Sequence, residues 1–416
     1  MRSEVRLKRK RTVAKRLLFV LATLLSQTSG NVSGKQGKGA HWVGTWASSP
    51  QLADAGNLPP VPGFADATLR QVVHVSIGGP QIRVRFSNSF GTTALTVSSA
   101  HVAKAGKNGS ILPDTDRALA FQGRPSMTIP PGALLYSDPV DFDLRPLSDL
   151  AVTMRLQGAP VGVTTHSGSR ATSYLAQGDV VAAADLPSPQ PIDHWYFLNG
   201  VDVVSRNPVG AVVVLGDSIT DGRNSTTNSN GRWTDELARR LCTNDHTKHV
   251  AVLNQGIGGN RLLHDGLGPN ALARLDRDVL TQTGVRWLVV FEGVNDIGTC
   301  AKECNLDSLA QDIIGAYEQI IVRAHSQGIR VYGGTITPFG GSPYATPDAE
   351  HARQTMNSWI RTSGQFDAVI DFDAATRDSR NPSNLSPEAD SGDHLHPADT
   401  GYKIMGDAID LQLFRY

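Results

Sequence analysis

The chain has 416 residues, enough for one large domain and more naturally two. A hydrophobic content of 40% with 19% charged residues is that of an ordinary globular protein and excludes a disordered or fibrous one. Lys plus Arg and Asp plus Glu each number 39, so the formal net charge is zero and no electrostatic attraction to nucleic acid is expected.

The basic residues that do cluster lie at the start. Arg2, Arg6, Lys8, Arg9, Lys10, Arg11, Lys15 and Arg16 precede an apolar run over 17–25 and a small, polar stretch over 26–30. This order reads as a secretory signal peptide over residues 1–30, although no clean Ala-x-Ala cleavage site is present. The other reading of the same residues is a basic localisation or nucleic-acid tail. The apolar run is too short to span a bilayer. No Cys follows it, so a lipidated N-terminus is not expected, and no later segment is apolar enough to form a membrane anchor. The mature protein is expected to be exported, to the medium or the periplasm. Residues 31–40 are rich in Gly, Ser and Lys and read as a flexible lead-in.

Residues 41–206 have a β pattern. Residues 81–87 alternate apolar and polar side chains, as a half-buried strand does. Further strands are expected over 68–77, 95–102, 150–156 and 195–204, with Gly78-Gly79-Pro80 as a turn. Short strands at this spacing predict an all-β sandwich or jelly roll. Trp42 and Trp46 have two readings, a sugar-binding face or core aromatics at a domain interface. The segment 205–208 reads as the domain boundary. From 209 to 416 the rhythm is strand, loop, helix. Strands are expected over 211–215, 250–253, 287–291, 330–333 and 368–372, and helices over 233–241, 271–280, 306–326, 352–363 and 401–413. Such alternation predicts a parallel sheet with helices on both faces. With export a Cys300–Cys304 disulfide is expected, which leaves Cys242 unpaired, buried on the helix over 233–241. The cysteine spacing fits no zinc site.

Four short blocks carry the chemistry. Gly216-Asp217-Ser218 ends a strand whose carboxyl end is where α/β folds place their active residues. A serine hydroxyl needs a base, and the base needs an orienting group. In Asp393-His394-Leu395-His396, Asp393 lies three residues before His396, a spacing that lets it accept from Nδ1 and leave Nε2 to take a serine proton. His394 does not fit this spacing and reads as a loop histidine. Acyl transfer also needs donors for an oxyanion. The candidates are the backbone N–H of Ser218, the backbone N–H of Gly259 and the side-chain amide of Asn295. Asp217, Asp221 and Asp296 read as hydrogen-bonding supports around Ser218 in preference to metal ligands. Asn31, Asn108, Asn224 and Asn384 head glycosylation sequons, relevant only in a eukaryotic source.

Taken together, Gly216-Asp217-Ser218-Ile219, Gly258-Gly259-Asn260, Gly293-Val294-Asn295-Asp296 and the Asp393–His396 block resemble the SGNH/GDSL hydrolase superfamily over residues 209–416. The stretches 41–50 and 85–91 resemble two-domain secreted esterases of that superfamily with an appended β-domain. The resemblance implies α/β architecture, a flavodoxin-like three-layer α/β/α domain preceded by an all-β domain. It implies Ser218 as nucleophile, His396 as base and Asp393 as its orienter. Ser218, Gly259 and Asn295 would form the oxyanion hole, with no cofactor and no metal. The expected partner is a small-molecule or polysaccharide ester, with short-acyl esters of carbohydrates as first choice. A lipase or lysophospholipase is the second reading, and a carbohydrate-binding module with a vestigial hydrolase domain the third.

Overall fold

Five apolar runs with little polar alternation call for strands covered on both faces. In the computed structural model, which describes residues 41–205, 210–300 and 304–415, they form one parallel sheet. Its order is Val250–Gly256, Gly210–Gly216, Val285–Phe291, Arg330–Gly334 and Ala368–Ile370. In chain order this is 2-1-3-4-5, the flavodoxin-like sequence of strands. The strand Gly210–Gly216 is buried at every position. The expected signal peptide, the lead-in over 31–40 and positions 206–208 of the boundary segment lie outside the described residues.

The helices cover this sheet through residues spaced three and four apart. Leu306–His325 buries Ile313, Tyr317, Ile320 and Ala324 on one stripe, and Asn305 caps its start by accepting from Asp307 and Ser308 N–H. Burial of Ile313 or Ile320 contributes about 1.5–3 kcal/mol each. Three element boundaries differ from the sequence expectation because of a cap. The helix expected over 352–363 is Pro347–Thr362, started by the Thr346 side chain on Ala349 N–H with Pro347 in the first turn. The strand expected over 368–372 stops at Ile370, because Asp371 caps the short helix Phe372–Thr376. The helix expected over 401–413 is Asp399–Asp407, and Asp410 then caps a separate turn, Leu411–Phe414.

The β-rich region before residue 206 consists of antiparallel sheets. One runs Gln190–Ile192, Ser173–Gln177, Ala67–Val75, Ser148–Leu156, Leu95–Lys104 and Arg117–Ala118, with Met127–Ile129 also paired to Leu95–Lys104. Another runs His41–Ala47, Leu198–Ser205, Gly79–Ser87 and Leu134–Tyr136, with Val140–Leu144 also paired to Gly79–Ser87. Their buried faces share Leu69, Val73, Ile82, Val84, Val97 and Val152, a sandwich core. Several short strands, such as Thr164–His166, carry no alternation signal long enough to read from sequence.

The β region also closes an edge of the parallel sheet. Val250–Gly256 is an end strand of that sheet and would present unpaired backbone groups. Val252 N–H instead donates to Ser76 Oγ at 3.1 Å. Strand His41–Ala47 lies so close that a Cβ on Gly44 would stand 2.8 Å from Leu253. One hydrophobic cluster consequently runs from Val43 and Val84 through Leu253 and Val213 to Phe414.

Candidate active site

The strand Gly210–Gly216 leads into Asp217, which is extended, and then into a single helical turn, Ser218–Asp221. The Asp217 side chain accepts from Ile219 N–H at 2.8 Å and caps this turn. The turn begins at Ser218 itself, well before the helix expected from Trp233. Gly216 pairs in register with Gly256 on one side and Phe291 on the other. The loops that leave those two strands therefore emerge beside Ser218, at the point where the strand order reverses.

The first of these loops holds Gly259. Ile257 N–H donates to Gly216 O, Asn260 N–H donates to Ile257 O, and Gly259 takes a φ of +72° that glycine adopts without strain. A buried guanidinium fixes the loop from below. Arg274 donates to Asn260 Oδ1 at 2.9 Å, to Gly216 O at 3.0 Å and to Gln255 O at 2.6 Å. The second loop holds Asn295, which is 3% exposed and donates from Nδ2 to Asn260 O at 2.9 Å. Neither Ser218 N–H nor Gly259 N–H meets an acceptor among the described residues.

The loop before helix Asp399–Asp407 supplies the remaining groups. Ser218 Oγ lies 2.8 Å from His396 Nε2, and His396 Nδ1 lies 2.7 Å from Asp393 Oδ2. Asp393 Oδ1 also accepts the backbone N–H of Leu395 and His396. Burial alone would raise the Asp393 carboxyl. The His396 N–H, the His396 ring and the Leu395 N–H together outweigh it and hold the group far below the usual carboxylate range. His396 sits below an ordinary histidine, chiefly because it is buried, with Arg223 and Arg170 adding to the effect and Asp393 opposing it. His394 turns to Asp390 instead, with its Nδ1 2.5 Å from Asp390 Oδ2.

The three other aspartates have separate partners. Burial pushes Asp217 up to about 7, with Asp296 and Asp221 nearby acting in the same direction. Asp296 accepts Leu262 and Leu263 N–H and is raised by burial. Asp221 Oδ1 lies 2.9 Å from Nε2 of His166, a residue of the β region whose Nδ1 faces Ser49 O at 2.9 Å. Among the described residues no group of three or more His, Cys, Asp or Glu side chains could hold a metal.

Sequence reasoning missed three supports. Asn224, met only as the head of a sequon, donates from Nδ2 to Asp393 Oδ2 at 2.8 Å. Arg274 and His166 carry no local signal, because their partners are distant in sequence. Trp46 is buried edge-on against Trp195 and Trp42 lies under Arg83, so both are occupied by protein. Cys300 and Cys304 are disulfide-bonded just beyond Asn295. Cys242 is free and half-buried, less enclosed than expected, because it stands beside the stripe that packs through Leu237, Ala238 and Leu241.

Residues 214–404 match the family described as GDSL-like Lipase/Acylhydrolase, a span that contains Ser218, Gly259, Asn295, Asp393 and His396. No curated protein matches the chain. Solved structures similar to it include an acetyl xylan esterase at 21% identity, covering 48% of this chain and 96% of that one, with a TM-score of 0.36. A carbohydrate acetylesterase from Sinorhizobium meliloti is similar at 13% identity, covering 48% and 95%, with a TM-score of 0.37. The native M. smegmatis aryl esterase is similar at 16% identity, covering 49% and 98%, with a TM-score of 0.38. Residues 214–404 thus form a GDSL-like lipase/acylhydrolase domain, of the SGNH type.

Proposed function

We propose that this protein hydrolyses carboxylic esters through a serine acyl-enzyme, and that Ser218, His396, Asp393, Gly259 and Asn295 carry the reaction. The observation that carries this reading is the continuous hydrogen-bonded relay from Asp393 through His396 to Ser218. A carboxylate on Nδ1 requires the proton there, which leaves the Nε2 lone pair facing the serine. Ser218 Oγ attacks the ester carbonyl carbon as its proton passes to His396 Nε2. The oxyanion forms against Ser218 N–H, Gly259 N–H and the remaining N–H of Asn295. The carbon–oxygen bond of the leaving alcohol then breaks, and His396 returns the proton to that oxygen. Water repeats the sequence on the acyl-enzyme and frees the acid.

We further propose a short acyl group, with an acetylated carbohydrate as the preferred substrate class. Support comes from a recessed nucleophile, Ser218 at 7% exposure beside Asn295 at 3%. One observation favours longer chains. Leu267 is 57% exposed and lies against Gly259, apolar surface next to the oxyanion donors. Export is also part of the proposal, supported by the basic and apolar N-terminal sequence and by a Cys300–Cys304 disulfide of the kind that persists in oxidising compartments.

Hydrolysis of p-nitrophenyl esters from acetyl to palmitoyl tests the reading. Activity should peak at the shortest chains and vanish in Ser218→Ala. A maximum at long chains would favour the lipase reading, and wild-type turnover in Ser218→Ala would overturn the assignment.

A further inference from the structure

An amide donates to an oxyanion only when its nitrogen, and not its oxygen, faces the reacting centre. The Asn295 amide is held at both ends. Its Nδ2 donates to the backbone oxygen of Asn260, which can only accept, so the atom placed there must be nitrogen. Its Oδ1 receives the hydroxyl of Tyr344 at 3.1 Å, from a loop 49 residues further along the chain. One N–H of Asn295 is left over. The Tyr344 phenol is pushed up by burial, and the carboxylate of Asp217 adds to this, so it remains a donor.

Packing supports the same contact. The Tyr344 ring lies against Gly298, three residues after Asn295, where a Cβ would come within 2.0 Å of the ring. Glycine there lets the phenol close over the helix Val294–Gly298 that carries the amide. Tyr344 N–H in turn donates to Ser342 Oγ, which ties its own loop.

We propose that Tyr344 is a positioning residue for ester hydrolysis: its hydroxyl fixes and polarises the Asn295 amide so that the free N–H points at the oxyanion. The inference rests on the proposed role of Asn295 and gives the 335–346 loop a part in turnover that no contact with Ser218 would require. Such a residue acts on the tetrahedral state and leaves ground-state binding alone.

The test compares the intact protein with Tyr344→Phe, Asn295→Ala and the double variant, using p-nitrophenyl acetate and phenylboronic acid as a tetrahedral mimic. Phe keeps the ring on Gly298, and thermal unfolding checks that the fold is retained. Loss of one neutral hydrogen bond predicts a kcat about two- to ten-fold lower in Tyr344→Phe, with KM within about two-fold. The boronate should weaken by the same factor as kcat. In the Asn295→Ala background the Tyr344→Phe change should have no further effect. An unchanged kcat in Tyr344→Phe alongside a large loss in Asn295→Ala would overturn this inference and leave the oxyanion reading standing. An equal Tyr344→Phe loss in both backgrounds would overturn it as well, since Tyr344 would then act elsewhere. An unchanged kcat in Asn295→Ala would overturn the oxyanion reading itself.

Discussion

At His396 two influences oppose each other. Burial and the positive charges of Arg223 and Arg170 disfavour the imidazolium, and the Asp393 carboxylate favours it. Burial prevails and the group lies below the ordinary 6.5. In the proposed mechanism His396 must be unprotonated to accept the serine proton, so activity should be lost as pH falls through the lowered value. The acid limb of kcat/KM is therefore expected below pH 6.5. Asp393→Asn removes both the favourable charge and the orientation of the ring. Turnover should fall by about 10³- to 10⁴-fold, with the acid limb displaced further down. A wild-type limb at or above 6.5 would contradict the dominance of burial. The residues of this relay were legible because each sits in a short block with its neighbours. Asn224 and Tyr344 were not, since their hydrogen bonds span 169 and 49 positions.

The turn Ser218–Asp221 is too short to hold its own geometry, with four residues and a left-handed Gly222 ending it. It is gripped from outside. His166 reaches Asp221 Oδ1, and Arg232 donates to Asp221 O at 3.1 Å and to Ser169 O. The two contacts join the turn that carries Ser218 to the end of strand Thr164–His166 and to Ser169 just after it. Asp221 Oδ2 has no hydrogen-bond partner among the described residues, so His166 is the donor that matters to that carboxylate. His166→Ala should cost about 1–3 kcal/mol of stability by leaving a buried acceptor unsatisfied. It should also lower kcat by loosening the turn beneath Ser218. Thermal unfolding and steady-state kinetics measure both, and wild-type values in each would show that the contact is dispensable. Periodicity located the long elements at this scale, and the caps at Thr346, Asp371 and Asp410 decided where one element ends and the next begins.

Among the described residues the sandwich and the parallel sheet share one apolar cluster. The Gly44–Leu253 approach and the Ser76–Val252 hydrogen bond lie on the seam. Removing the β-rich part would expose Leu253 and the backbone of an end strand to water, a condition that favours aggregation. Denaturant unfolding of the intact protein should accordingly show one cooperative transition, followed in parallel by tryptophan fluorescence and far-ultraviolet circular dichroism. Two separated transitions would mean that the seam contributes little to stability. The β-rich region then does more than precede the parallel-sheet domain, since it closes one sheet edge and contacts the turn that carries Ser218.

Apolar pattern and block spacing by themselves determined the parallel α/β fold of the second half, the β character of the first, and Ser218, Asp393, His396, Gly259 and Asn295 as a candidate set. These features are local: a strand's hydrophobic run, a glycine pair, an Asp three residues before a His. Tertiary structure alone decided that the carboxyl ends of Gly210–Gly216, Val250–Gly256 and Val285–Phe291 stand level, so that the loops carrying Ser218, Gly259 and Asn295 leave the sheet side by side. It alone also recruited Arg274, His166, Asn224 and Tyr344. Their significance depends on which distant backbone oxygen or carboxylate each one meets, and a single side chain carries no record of its partner until the chain has folded.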